Sequence, residues 1–280
     1  MRRERGAALM GVVNVTPDSF YDGGRYASDE TACAQIDRLL AEGADIIDIG
    51  AASSRPGAES VPAAQQLERM EAALRHSVAR GAVTSVDTTS PEVAGRALAL
   101  GARIVNDVSC LADGELASVT ARGGGTLVLM HARGPMSRQA GFSQYPDGGY
   151  GDVVGDVLAE WRAARDRALR AGLERGDVWL DPGLGFAKNA RHSFELLARL
   201  AELTHEGVPV VVGASRKSFL ASLDGSPPAE RLGGSIAAGL VAVERGAAVL
   251  RVHDVLPARQ SLAVARRARG LDPAPEASHA

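Results

Sequence analysis

Eight short apolar runs recur along this chain, most of them preceded by a helix stop, and that rhythm restricts the possible folds more than any single residue does. The runs fall at 9–13, 45–49, 83–86, 103–105, 126–130, 178–180, 208–212 and 248–252. None alternates polar with apolar residues, which is how strands covered on both faces read. Segments of helical character lie between them, at 31–42, 63–80, 91–100, 153–171, 193–203, 229–244 and 259–269. Glycine marks the junctions in Glu42-Gly43-Ala44, Arg80-Gly81-Ala82, Leu100-Gly101-Ala102, Arg175-Gly176 and Arg245-Gly246-Ala247. There it can take the left-handed conformation that ends a helix. A repeated β-α unit with short crossovers predicts an α/β protein closed as a single (β/α)8 barrel, with a doubly wound open sheet as the alternative. No linker interrupts the pattern, so residues 1–270 read as one barrel domain. The two-proline segment 271–280 reads as a disordered tail.

The 280 residues are 45% apolar with a net charge of -3, and no basic stripe offers to neutralise a nucleic acid backbone. No run approaches the roughly 18 apolar residues that a membrane span needs. Arg2-Arg3 precedes an apolar segment too short to be a signal-peptide core. Cys33 and Cys110 read as reduced thiols, so a cytoplasmic location is expected.

Every run ends in polar chemistry. The ends carry Asn14, the loop 53–57 with Ser54 and Arg55, Asp87, Asn106-Asp107, His131, Asp181, Ser215-Arg216-Lys217, and Arg251 with His253. In a barrel the C-terminal mouth is where active sites are built. Arg251 and His253, two apart, share a face, whereas only one of Asn106 and Asp107 can point into the lumen. Arg55, Lys217, Arg251 and His253 form a cationic set suited to phosphate oxygens. Asn14 and nearby carboxylates could hold a hard ion such as Mg2+, the usual companion of a diphosphate. Asp87, Asn106 and Asp181 make a donor-and-acceptor array that matches a flat heterocycle with amino and carbonyl groups. The expected ligand is a purine- or pterin-like ring with a phosphate-bearing arm.

Other features read as structural. Asp48 inside the second strand suits a buried hydrogen bond, and Cys33 suits core packing. His131 fits a satisfied core position as well as a ligand contact. His76, His192 and His205 read as helix-surface residues. No phosphate loop, nucleophile elbow or HExxH motif is present, and Gly183-Leu184-Gly185 lacks the third glycine of a dinucleotide fingerprint.

The run Asn14-Val15-Thr16-Pro17-Asp18-Ser19-Phe20 with Asp22-Gly23-Gly24, and the later Ser215-Arg216-Lys217-Ser218-Phe219, resemble dihydropteroate synthases. So do Ser54-Arg55-Pro56-Gly57, Val86-Asp87-Thr88, Asn106-Asp107-Val108-Ser109, Asp181-Pro182-Gly183 and Arg251-Val252-His253-Asp254. The likeness runs in order over nearly the whole chain. It implies a (β/α)8 barrel, usually a homodimer, joining 6-hydroxymethyl-7,8-dihydropterin diphosphate to 4-aminobenzoate with release of diphosphate. By position, Asp87, Asn106, Asp181 and Lys217 would hold the pterin, and Asn14 would help bind Mg2+ and diphosphate. Arg251 and His253 would form the anion site. Arg55, Pro56, Phe186 and Ser218 would frame the aminobenzoate, with Ser54 beside them. Asp87, Asp181, Lys217, Arg251 and His253 would carry the catalysis. The chain departs from the family at Ser54, usually threonine, at Ala52, usually glutamate, at Ala187, usually glycine, and at Thr89-Ser90, usually an aromatic-lysine pair. A pterin-binding methyltransferase barrel, a Schiff-base aldolase using Lys217 and a weakly active or non-catalytic paralogue are the alternatives.

Overall fold

A computed structural model of the chain describes residues 6–15, 24–52, 61–134 and 143–270. The expected tail, the 16–23 loop and the loop carrying Ser54, Arg55 and Pro56 lie outside these residues. Eight parallel strands alternate with helices: β1 (Ala8–Asn14), β2 (Ile46–Gly50), β3 (Val83–Asp87), β4 (Ile104–Asp107), β5 (Thr126–Met130), β6 (Val178–Asp181), β7 (Val211–Val212) and β8 (Val249–Val252). The pairing order is β6-β5-β4-β3-β2-β1-β8-β7. A parallel bridge between Leu180 and Val210, with the Leu180 N–H donating to the Pro209 carbonyl at 3.0 Å, brings the two edge strands together and closes the barrel. β7 is shorter than expected because Pro209 has no N–H to give the ladder.

The helices are α1 (Gly24–Glu42), α2 (Ala63–Ala79), α3 (Pro91–Ala99), α4 (Glu115–Arg122), α5 (Val153–Arg170), α6 (Ala190–Ala198), α7 (Leu200–Thr204), α8 (Leu232–Glu244) and α9 (Val255–Ala268). Caps define several starts. Ser90 accepts the Val93 N–H with Pro91 in the first turn of α3, and Asp152 caps α5. Three differences from the sequence reading have local causes. α4 is an additional eight-residue helix between Gly114 and Gly123. The segment 193–203 is two helices, broken at Arg199, whose φ of -105° and ψ of 19° leave the helical region. His192 is buried, correcting its assignment to the surface: it closes a capping box with Asn189 and packs edge-on to Tyr150 at 5.0 Å. None of the described helices is long and apolar enough to cross a membrane.

The barrel interior has two layers. Met10, Ile46, Ile104, Val128, Trp179, Val211 and Val249, one from each of seven strands, pack into an apolar plug. Side chains two residues apart share a face of a strand and lie about 6–7 Å apart along it. Two residues beyond Ile46, Ile104, Trp179 and Val249 stand Asp48, Asn106, Asp181 and Arg251, so the layer above the plug is polar.

Candidate active site

The register sets the polar layer. Across neighbouring strands Asn14 pairs with Gly50, Gly50 with Asp87 and Asp87 with Asn106, so one row of backbone carries three of the expected groups to the mouth. Gly50 leaves Asp87 its space, since a Cβ there would come within 3.2 Å of the Asp87 Cβ. Arg251 reaches across from β8: its Nε donates to Asp48 Oδ2 at 2.7 Å and its Nη2 to Asp87 Oδ2 at 2.8 Å. Asn106 Nδ2 donates to the same Asp48 oxygen at 3.2 Å. Asp48, fully buried, thereby ties β4 and β8 together, and its other carboxylate oxygen is buried without a hydrogen-bond partner. Of the pair on β4, Asn106 faces the lumen. Asp107 turns the other way, accepting the N–H of Ser109 and Leu111 to fold the next loop.

β6 and β7 supply the opposite side. Gly183 N–H donates to Asp181 Oδ1 at 2.7 Å. Gly183 has φ 65°, and a Cβ there would strike the His131 carbonyl at 2.1 Å, so only glycine fits. Lys217 Nζ donates to the Leu184 carbonyl at 2.7 Å and lies over the Phe186 ring, 4.4 Å from its centroid. Phe186 packs with Met130 and Ala132 into a small apolar wall. Gly213 lies beside both residues: a Cβ there would be in ordinary contact, 3.6 Å from Lys217 Nζ and 3.8 Å from Arg251 Cβ. Ser218 shares a 2.8 Å hydroxyl contact with Ser143 beside this wall.

Burial dominates the electrostatics. It pushes the Asp181 carboxyl up, against the pull of Lys217, the Gly183 N–H and Arg251. It pushes Asp87 up too, with Arg251 opposing and Asp48 adding to the rise. Lys217 is pushed down to about 8 by burial, with Asp181 opposing. Burial and the Arg251 and Arg216 charges push His253 down to about 4. His253 is therefore a neutral ring at pH 7, its Nδ1 3.0 Å from Ser215 Oγ, and the expected cationic set loses that member in this state. Arg216, at φ 58°, is committed to a two-pronged ion pair with Asp254. His131 is a core residue between Lys188 and Glu160.

Asp87, Asn106 and Arg251 are thus linked through shared hydrogen bonds, Asp181 and Lys217 lie within electrostatic reach of Arg251, Phe186 packs under Lys217, and Asn14 is exposed at the end of β1. Asp48 is the buried hydrogen-bonding residue the sequence led us to expect, with Asn106 and Arg251 as its partners, whereas Gly213 was not singled out. Strand parity places Asp48 in this layer, because it follows the plug residue Ile46 by two. Chemically, this layer offers acids and a carboxamide for the polar edge of a ring, a lysine over an aromatic wall, and a guanidinium between two of the acids.

The pterin-binding enzyme family matches residues 10–253. The chain is 42% identical over 263 residues to the dihydropteroate synthase of Mycobacterium leprae, covering 91% of each. It is 40% identical over 249 residues to that of Escherichia coli, covering 88% of this chain and 86% of the relative. The solved structure of the Xanthomonas albilineans enzyme with 4-aminobenzoic acid is similar at a TM-score of 0.88 and 39% identity, covering 96% of this chain and 95% of that one. The same enzyme in complex with 7,8-dihydropteroate gives a TM-score of 0.84 at 38% identity, with 96% of each covered.

Proposed function

We infer the reaction from a firm premise: this chain belongs to the pterin-binding enzyme family and groups with its dihydropteroate synthases. It is a transferase of folate synthesis, joining 6-hydroxymethyl-7,8-dihydropterin diphosphate to 4-aminobenzoate and releasing diphosphate. The assignment of its residues to steps is our proposal. The observation that carries it is the convergence of Asp87, Asn106, Asp181, Lys217 and Arg251 at the C-terminal end of the barrel.

Asp181, Asp87 and Asn106 hold the amino and ring N–H edge of the pterin, and Lys217 donates to its carbonyl side. The reacting carbon is attached to an electron-rich ring, so its C–O bond breaks ahead of attack, the electron pair leaving with diphosphate. The two buried carboxylates favour the positive charge that then spreads over the ring. Arg251 spends Nε and Nη2 on Asp48 and Asp87, which leaves Nη1 to face the departing anion. His253 begins neutral, and an arriving diphosphate would draw a proton onto it. The aminobenzoate nitrogen, held against Phe186 and Ser218, forms the new C–N bond and loses its extra proton to solvent or diphosphate. Arg55 and Pro56, with Ser54, complete its site in the same proposal. Much of the acceleration is then positional.

Mg2+ suits the rim. Asn14 is exposed there and offers one neutral oxygen, and no cluster of three acidic, histidine or cysteine groups able to hold a metal occurs among the described residues. An ion that keeps water and phosphate oxygens for most of its ligands fits such a place, and when bound it would neutralise charge on the leaving group. Cys33 and Cys110 are both free thiols, which suits a reducing compartment such as the cytoplasm. A homodimer belongs to the proposal as well; Leu232 at the start of α8 and Val264 on α9 are exposed apolar side chains on neighbouring helices. Light scattering reads the oligomeric state. The functional test is incubation with both substrates and Mg2+: dihydropteroate and diphosphate should appear in equal amounts, and no product above background would refute the reading.

A further inference from the structure

Lys188 is completely buried, and among the described residues no carboxylate lies within ion-pair distance of it. Its Nζ is 2.9 Å from the Phe186 carbonyl, 3.3 Å from the His131 carbonyl and 2.9 Å from His131 Nδ1. An ammonium has three N–H donors and no acceptor, so this cage of three acceptors fits it completely. The far side of the imidazole fixes the direction of the last bond. His131 Nε2 is 3.0 Å from Glu160 Oε2, and a carboxylate only accepts, so Nε2 carries the hydrogen and Nδ1 turns its lone pair to Lys188. Glu160 is held in place by Arg133, whose guanidinium also lies over the Tyr150 ring at 3.8 Å. Tyr150 in turn donates its hydroxyl to the Ala187 carbonyl at 2.9 Å. Two neighbouring carbonyls of the loop after β6 are thus held, that of Phe186 by Lys188 from the loop itself and that of Ala187 by Tyr150 from outside it, around an Ala187 at φ 46°.

Beyond those three acceptors, Asp181 is the group whose charge acts most strongly on the ammonium. The charged groups around that carboxyl are Lys217 and Arg251 from β7 and β8, Lys188 from its own loop, and Asp87 from β3, which is of like sign. Resting on the reaction assigned above, we propose that Lys188 is a positioning residue: its ammonium, oriented by Glu160 through His131, fixes the Phe186 wall on which Lys217 and the aminobenzoate rest, and joins Lys217 and Arg251 in keeping Asp181 ionised. Burial pushes Asp181 up, with Lys188 among the groups opposing it, and pushes Lys188 itself down to about 7, with Asp181 opposing, so the ammonium is most fully charged on the acid side of neutrality.

The test compares Lys188→Met with the wild type across pH 5.5 to 8.5. Losing one nearby buried cation should move the acid limb of kcat/KM for the pterin diphosphate upward by roughly one unit, so the deficit at pH 6 exceeds that at pH 8 about ten-fold. KM for 4-aminobenzoate should rise several-fold as the Phe186 wall loosens. A deficit of the same factor at every pH would mean Lys188 only props up the fold, and overturns the proposal. A second measurement does not depend on turnover: the carboxyl carbon-13 signal of Asp181, assigned with Asp181→Asn, should titrate at higher pH in the variant. An unmoved titration overturns the proposal, whereas a wild type that makes no dihydropteroate counts against the assigned reaction alone. Should Lys188→Met fail to fold, Glu160→Gln at its part-exposed position carries the same two readouts with a smaller expected shift, and no shift overturns the idea equally.

Discussion

Ile46, Ile104, Trp179 and Val249 stand two residues before Asp48, Asn106, Asp181 and Arg251 on the same four strands, pointing into the same barrel, yet the two sets do opposite work. The lower set excludes water and holds the strands by burial alone. The upper set puts two carboxylates, a carboxamide and a guanidinium where burial raises the cost of every unpaired charge. One β-period separates a layer that stabilises from a layer that strains. The lesson is that a barrel strand specifies both from one face, the polar layer resting on an apolar plug to which seven of the eight strands contribute.

Substitutions can break or sharpen that contrast. The largest effect is expected from Arg251→Ala, because it shows that the polar layer also contributes to the fold. Removing the guanidinium leaves Asp48 and Asp87 facing each other without their shared partner, and breaking a buried ion pair costs about 3–5 kcal/mol. Urea denaturation should show that loss together with collapse of activity; undiminished stability would mean the carboxylates are solvated. Trp179→Ala comes next, expected to cost about 3–4 kcal/mol of stability through the cavity it opens in the plug, with pterin affinity of the folded protein nearly unchanged. A pterin site that failed in the folded variant would show that the layers are not separable.

The histidines give a smaller, pH-dependent effect. Burial holds His131 near 4 instead of 6.5, so between those values the unfolded chain binds more protons and stability falls as the pH falls. The raised Asp87 and Asp181 carboxyls work the other way, favouring the fold as the pH drops toward the ordinary carboxylate range. His131→Gln removes one side of that opposition, and between pH 6.5 and 4.5 it should lose less stability than the wild type, by about 1–3 kcal/mol. Parallel curves would contradict the burial argument. The smallest change is expected from Ala187→Gly, which relieves a left-handed alanine at φ 46° and should raise stability by no more than about 1 kcal/mol in thermal denaturation. A clear loss would show that the alanine methyl is packed to advantage.

Much of this was readable from the chain. The eight apolar runs, their glycine junctions and the polar ends carried the barrel and placed Asp87, Asn106, Asp181, Lys217 and Arg251 at its mouth. What escaped depends on contacts distant in sequence. Asp48 was legible as a buried hydrogen-bonding residue, but its partners, Asn106 and Arg251, lie 58 and 203 residues away and could not be named from the chain. His192 sits on a helix by pattern but is covered by Tyr150 and the backbone of Asp147, which no helical period reveals. His253 kept the appearance of a cation until its burial beside Arg251 and Arg216 was visible. Lys188 gave no signal, since a lysine in a glycine-rich loop reads as solvated. α4 was hidden by its brevity and by Val119 and Thr120, β-branched residues next to a glycine run.

The most direct trial of the two-part site is a calorimetric titration of Asp181→Asn with two ligands, the dihydropterin with and without its diphosphate. If the acids grip the ring and Arg251 grips the departing anion, both ligands should weaken by the same factor, on the order of 100-fold, from the loss of a buried charged hydrogen-bond acceptor. Unchanged binding of the diphosphate-free pterin would contradict the account.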